Sequence, residues 1–348
     1  MPAKAATTAP VAWQRDSSRS SEQPGLSQPL TPGSIARCAA QVSYGLTRGR
    51  PIVLACDPTL EGVLSAVGIG YLAHERDGQL RLASARSVQP QLGEEVIRTP
   101  PASEDDTVSF ARRVLEGFAR RVTSGCRKVK ANGCPEGCEA ACVRRLAYVA
   151  ASDDPEMPEI VHRYLRLGFS VGPRVRMLIA DPRVAAFDGL ARYVAGECEH
   201  TRQFVRFSHM SDGSFAASFK PNADTIPLTA AHFAARMGTE RFCLVDPRHR
   251  VAAFHDPSGD GCQIVLLDAA LANDLASRKD FADDERYVRA MWQRFYRGTT
   301  IPGRDRSQRG YDLRTHWMPQ RLWEGLVELA PTTSTIWDGS PRSKSQDD

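Results

Sequence analysis

The apolar residues of this 348-residue chain change their repeat near residue 204, and that change limits the folds open to it. Before it the spacing is helical. Val108, Ala111, Val114, Leu115, Phe118 and Val122 recur every three or four residues behind an acidic start, Ser103-Glu104-Asp105-Asp106. Further helices are expected over 139–151, 157–167 and 182–202. After it the pattern alternates. Residues 204–210 and 215–220 flank Ser211-Asp212-Gly213 as a hairpin, and a short helix follows over 229–237. A second hairpin, 242–245 with 250–255, turns at Asp246-Pro247-Arg248-His249, and 263–267 adds a strand. Near the start, Ile52-Val53-Leu54-Ala55-Cys56 reads as a buried strand. Asp57-Pro58-Thr59 then caps a helix whose apolar face includes Val63, Val67 and Tyr71. Helices over 283–297 and 319–329 close the pattern. The class expected is α+β: a helical N-terminal half, an antiparallel β-β-α-β-β unit and two C-terminal helices.

Residues 1–50, rich in Ser, Pro, Ala, Gln and Thr, read as a disordered extension. Residues 51–330 read as one α+β domain and 331–348 as a polar tail. With 42% hydrophobic residues the chain can bury a core. It holds no run of about 20 apolar residues, so no membrane span is expected. The first residues lack the apolar centre of a secretory signal. Nine irregularly spaced cysteines do not suggest a disulfide framework, and a reducing cytoplasm is the expected compartment.

The formal charge is only +4, but it is unevenly spread. From residue 286 to 321 there are nine Arg, no Lys and two Asp, a net +7. On the helix beginning near 283, Val288, Met291, Trp292 and Phe295 are expected to face the core. Arg286, Arg289, Gln293 and Arg297 would then form a cationic stripe on the other side. Arg304, Arg306, Arg309, Arg314 and Arg321 follow, interleaved with Tyr311 and Trp317. Guanidinium groups match phosphate geometry and aromatic faces stack on unpaired bases. A nucleic-acid footprint and a solvated helix face with aromatic packing are the two readings of this block.

Cys126, Cys134, Cys138 and Cys142 form a second cluster, the last three spaced by four. Their thiolates could hold zinc or an iron–sulfur cluster, although the spacing is not a standard one. Small buried thiols are the alternative. Glu197, Glu199 and His200 end a predicted helix, while His232 and Arg236 share a helix face. A carboxylate, an imidazole and a guanidinium can do acid–base work if they converge, so Glu197, His200, His232 and Arg236 are the candidate catalytic set. The sequence lacks GxxxxGK[ST], a strand–GxGxxG–helix and HExxH, and so gives no support to triphosphate, dinucleotide or zincin chemistry.

Several short motifs occur in a fixed order. They are Asp57-x-Thr59-Leu60-Glu61-Gly62, Arg163-Tyr164-Leu165-Arg166-Leu167-Gly168-Phe169, Glu197, Phe204-Val205-Arg206-Phe207, His232-Phe233-x-x-Arg236 and Met318-Pro319-x-Arg321-x-Trp323. Over about 52–330 the chain resembles a bacterial family of unknown function described as DNA metabolism proteins. In that family the domain lies beside a radical-SAM partner or is fused to a uracil-DNA-glycosylase-like domain. The chain departs from the pattern at Glu199-His200, where the family has His-Arg, and at Pro58, where Gly is common. The Cys-rich insert is not a family feature.

The resemblance implies a DNA-binding accessory protein of DNA repair or modification. The charge and aromatic pattern of the Arg-rich block, with the motif residue Arg206, supplies its expected nucleic-acid contacts: Arg206, Arg286, Arg289, Arg297, Arg304, Arg306, Arg309, Arg321 and Trp323. Its partners would be DNA and a radical-SAM or glycosylase-like protein. Two rivals stay open at this point. One is a DNA-directed hydrolase or lyase built on the Glu/His/Arg set, so the residues do not decide whether the protein is an enzyme. The other is a metal-binding redox partner built on the cysteines.

Overall fold

The computed structural model describes residues 34–76, 78–124, 138–259, 261–298 and 318–327. The chain is α+β, as its change of repeat requires. The described residues fall into two compact units. An N-terminal unit holds residues 34–198 with Asn222–Leu228. A C-terminal unit holds Glu199–Pro221 with residues 229–327.

The N-terminal unit runs α1 (Ile35–Thr47), β1 (Ile52–Cys56), α2 (Leu60–Leu72), β2 (Leu80–Ser84), β3 (Glu95–Arg98), α3 (Asp105–Thr123), α4 (Cys138–Ala150) and α5 (Met157–Val171). A 3-10 turn, Gly172–Met177, leads into α6 (Pro182–Phe204), whose last residues belong to the other unit. All five residues of β1 are buried, as befits a continuous apolar strand at the centre of a parallel sheet. The sheet order is β2-β1-β3, both pairs parallel. The apolar pattern predicts β1 but neither neighbour, so the N-terminal half is not purely helical. Helix α1 is a second correction. It lies where the extension was expected and buries Cys38, Ala39 and Val42, an i, i+1, i+4 stripe that the polar composition around it obscures.

Thr59 caps α2 as expected, its hydroxyl accepting from Gly62 N at 3.1 Å. The turn is tight: a Cβ at Gly62 would strike the Asp57 carbonyl. Helix α2 is buried almost all round, and α3 lays its apolar stripe on it, with Phe110 and Val114 filling the space over Gly68. Phe118 is fully buried against Tyr164 and Phe169, at ring separations of 5.9 and 5.2 Å.

The C-terminal unit contains β4 (Ser208–His209), β5 (Phe215–Ser218), most of α7 (Ile226–Met237), β6 (Phe242–Asp246), β7 (Val251–His255), β8 (Cys262–Leu266), α8 (Ala269–Ser277) and α9 (Asp283–Gly298). The β-β-α-β-β succession is as expected, in a five-stranded sheet ordered β4-β5-β6-β7-β8. One pairing differs: β5 and β6 run parallel. They are joined through α7, and a helical crossover returns the chain to the same end of the sheet, whereas a hairpin would reverse it. The β4–β5 turn places Gly213 at φ 76, a conformation glycine adopts without steric cost. Phe233 of α7 meets Phe207 edge-on, and Phe207 in turn meets Phe242. The expected last helix is instead a short 3-10 turn, Gln320–Gly325, with Leu322 buried and Leu326 beyond it also buried. Among the described residues no helix is long and apolar enough to cross a membrane.

Candidate nucleic-acid interface

Helix α9 carries the described part of the Arg-rich block, and it sits the other way round from the sequence expectation. Its inward residues are polar. The buried Glu285 takes His209 N at 3.1 Å and the Arg289 Nε at 2.8 Å. Arg289 also donates to Ser208 Oγ at 2.5 Å, and its guanidinium lies 4.1 Å from the centre of the Phe281 ring. Gln293 donates to the Val327 carbonyl at 2.9 Å. The residues expected in the core are exposed: Val288 by 46%, Met291 by 52%, Trp292 by 42% and Phe295 by 59%. Tyr287 joins them at 62%. The physical reason is local. Charge-assisted bonds to β4 and a cation–π contact fix the polar edge of the helix, and a helix can seat only one edge at a time.

The outward surface therefore combines two arcs. Arg286 and Arg294, both exposed, lie along one. Tyr287, Met291 and Phe295 follow on the next, and Trp292 stacks with Phe295 at 5.6 Å and 25°. Arginine beside open aromatic faces suits a phosphate backbone with unstacked bases. Arg294 and Tyr287 are not among the residues the sequence singles out. Helical spacing sets Arg294 beside Met291, but it cannot show that Tyr287 is open.

The other candidate residues are spread out. Arg206 is half-buried, and its Nη1 donates to the carbonyls of Gln203 and Val205 at 2.8 and 3.3 Å, where a cation complements the C-terminal end of α6. Arg321 is half-buried. The Trp323 indole donates to Met318 O at 3.1 Å, which closes the last turn on itself. Arg304, Arg306 and Arg309, with the side chain of Arg297, lie outside the described residues.

Of the candidate catalytic set, Glu197 is only 4% exposed and accepts Asn222 N at 2.8 Å. In the N-terminal unit this bond ties residues 222–228 to α6, next to the small apolar cluster of Val194, Cys198 and Ala223. His200, in the C-terminal unit, packs on Phe204. His232 and Arg236 share the exposed side of α7, as their spacing predicts. A structural bond thus occupies Glu197, while the His–Arg pair is open to solvent.

Cys138 and Cys142 lie one turn apart on α4 and line the same cavity, whereas Cys126 and Cys134 lie outside the described residues. Burial pushes the Cys142 thiol up to about 11, against the pull of Arg145 and Arg176, so it is a neutral thiol. Among the described residues no group of three or more His, Cys, Asp or Glu is placed to hold a metal ion.

No curated protein matches the chain. Among solved structures, one described as the DHH domain of a member of a family of ribosomal proteins aligns with it at 8% identity. That alignment covers 64% of this chain and 77% of that one, with a TM-score of 0.28. A family model matches residues 155–328, half of the sequence, and the chain belongs to that family, DUF4130, a domain of unknown function.

Proposed function

We propose that the protein is a DNA-binding accessory factor of DNA repair or modification, which engages unpaired DNA through α9 and serves a radical-SAM or glycosylase-like partner enzyme. The observation that carries this reading is the outward face of α9, where exposed Arg286 and Arg294 lie to one side of exposed Tyr287, Met291 and Phe295. Such a surface is costly to leave in water and is a mark of a binding site. Its charge suits phosphate and its rings suit bases. The resemblance to DNA metabolism proteins supplies the biological setting.

Fluorescence anisotropy with single-stranded and duplex oligonucleotides, over a range of salt, tests this. Single strands are expected to bind more tightly, with affinity falling steeply as salt rises. The double variant Arg286→Ala/Arg294→Ala is expected to flatten the logarithmic salt slope by about 0.7 for each phosphate it ceases to neutralise. An unchanged slope and affinity would remove α9 from the interface.

A further inference from the structure

A cavity of about 160 Å³ lies within the N-terminal unit, among α3, α4, α5 and α6. Most of its wall is apolar. Tyr164 and Phe187 stack face to face at 3.7 Å and 7°, and Val122, Ala141 and Cys142 line it as well. Burial pushes the Tyr164 hydroxyl up to about 12, so it stays protonated and able to donate. Two guanidinium groups complete the lining. Arg145 lies 5.5 Å from the Phe187 ring centre and is held there by Asp188, while Arg176 comes from the exposed 3-10 turn. Among the described residues, the charged groups near the cavity are Arg145, Arg176, Asp188 and, beside Cys142, Glu139.

We propose that this cavity is a binding site for a small aromatic anion, a single ring bearing a carboxylate. The ring would lie in the Tyr164–Phe187 pocket and the carboxylate on Arg176, with Arg145 beside it. An apolar cavity of about 150 Å³ is large enough to hold benzene, so the space takes one ring. A planar carboxylate matches the guanidinium fork, and the low-dielectric wall strengthens that pairing. The site belongs wholly to the N-terminal unit and does not rest on the DNA-binding reading.

Calorimetric titration of the full chain with benzoate, benzyl alcohol and acetate tests the proposal, because the last two each keep half of the ligand. Benzoate is expected to bind, with each half roughly tenfold weaker or worse. Arg176→Ala is expected to weaken benzoate roughly tenfold, and Ala141→Phe, which fills the cavity, to abolish binding. Benzoate is also expected to slow alkylation of Cys142, read by peptide mass. That readout locates the ligand even if Ala141→Phe does not fold. The proposal is overturned if benzyl alcohol binds as tightly as benzoate, or if Arg176→Ala leaves the affinity unchanged. It is equally overturned if Cys142 alkylates at the same rate with and without benzoate.

Discussion

Helices α3 and α9 are written in nearly the same pattern and do opposite things. Each opens on acidic residues, carries arginines on one side and spaces its apolar residues by three and four. In α3 the apolar stripe is the seat: Ala111, Phe118 and Val122 are buried, and Arg112, Arg113 and Arg120 face water. In α9 the polar edge is the seat, through Glu285, Arg289 and Gln293, and the apolar residues stay in solvent. Amphipathic spacing decides which residues share a face. It does not decide whether that face meets the core of the same chain or a ligand. The deciding information lies in the neighbours. Helix α3 lies along α2, which is buried almost all round and has Gly68 to receive it. Helix α9 lies against β4, whose Ser208 and His209 offer hydrogen bonds.

The sharpest way to break this comparison is to truncate one aromatic in each helix. Phe118→Ala removes a fully buried ring that touches Tyr164 and Phe169, and is expected to cost about 3–5 kcal/mol of stability in urea unfolding. Phe295→Ala removes a ring exposed by 59% and is expected to move stability by no more than about 0.5 kcal/mol. It should instead weaken single-stranded DNA binding by about 1–3 kcal/mol, the usual worth of one base stack. If Phe295→Ala unfolds the protein as Phe118→Ala does, the α9 face is core and the comparison fails.

The contrast also explains what is legible in the sequence. Strand β1, the Thr59 cap, the α3 stripe and helices α4 to α7 follow from local spacing and capping, and those rules hold wherever the neighbour is apolar. Strands β2 and β3 escape such reading because Leu80–Ser84 and Glu95–Arg98 carry charged residues, and only pairing with β1 makes them strands. The parallel β5–β6 pair depends on where α7 returns the chain, which no window of residues contains. For the site, the arginines are visible as charge and the aromatics as spacing. Their exposure follows from Arg289 and Ser208, 81 residues apart, and so cannot be read locally. The cavity is further still from local reading, since its lining comes from four helices and a turn.

A second test separates two arginines three residues apart. Arg289 is engaged by Glu285, Ser208 and the Phe281 ring, whereas Arg286 is exposed. Arg289→Ala is therefore expected to lower stability by about 1 kcal/mol, the low end for partly exposed charge-assisted bonds. Arg286→Ala is expected to leave stability unchanged and to weaken DNA binding. Urea midpoints and anisotropy on the same preparations read both effects. Equal loss of stability in the two variants would mean that α9 is not seated on its polar edge.

The smallest expected effect is on pH, and it follows from what each helix sits on. The polar seat of α9 is continued by the chain that leads into it. Ala282 N donates to His209 O at 3.0 Å, and Arg278 bridges Asp280 and Asp212. Hydrogen bonds from the Ser214 hydroxyl and amide, and then Arg278, hold the Asp212 carboxyl down to about 2 from an ordinary 3.8. A carboxyl lowered on folding contributes its full stability above the unfolded value and loses it as pH falls towards the folded one. The C-terminal unit should therefore weaken between about pH 4 and pH 2, modestly, because Asp212 is largely open to solvent and its pairing is screened. Asp212→Asn is expected to flatten the urea midpoint across that interval while leaving the plateau above it little changed. The apolar contacts of α3 carry no such dependence. If Asp212→Asn keeps the wild-type acid slope, the loosening comes from other carboxylates, and the junction before α9 is not where the C-terminal unit responds to acid.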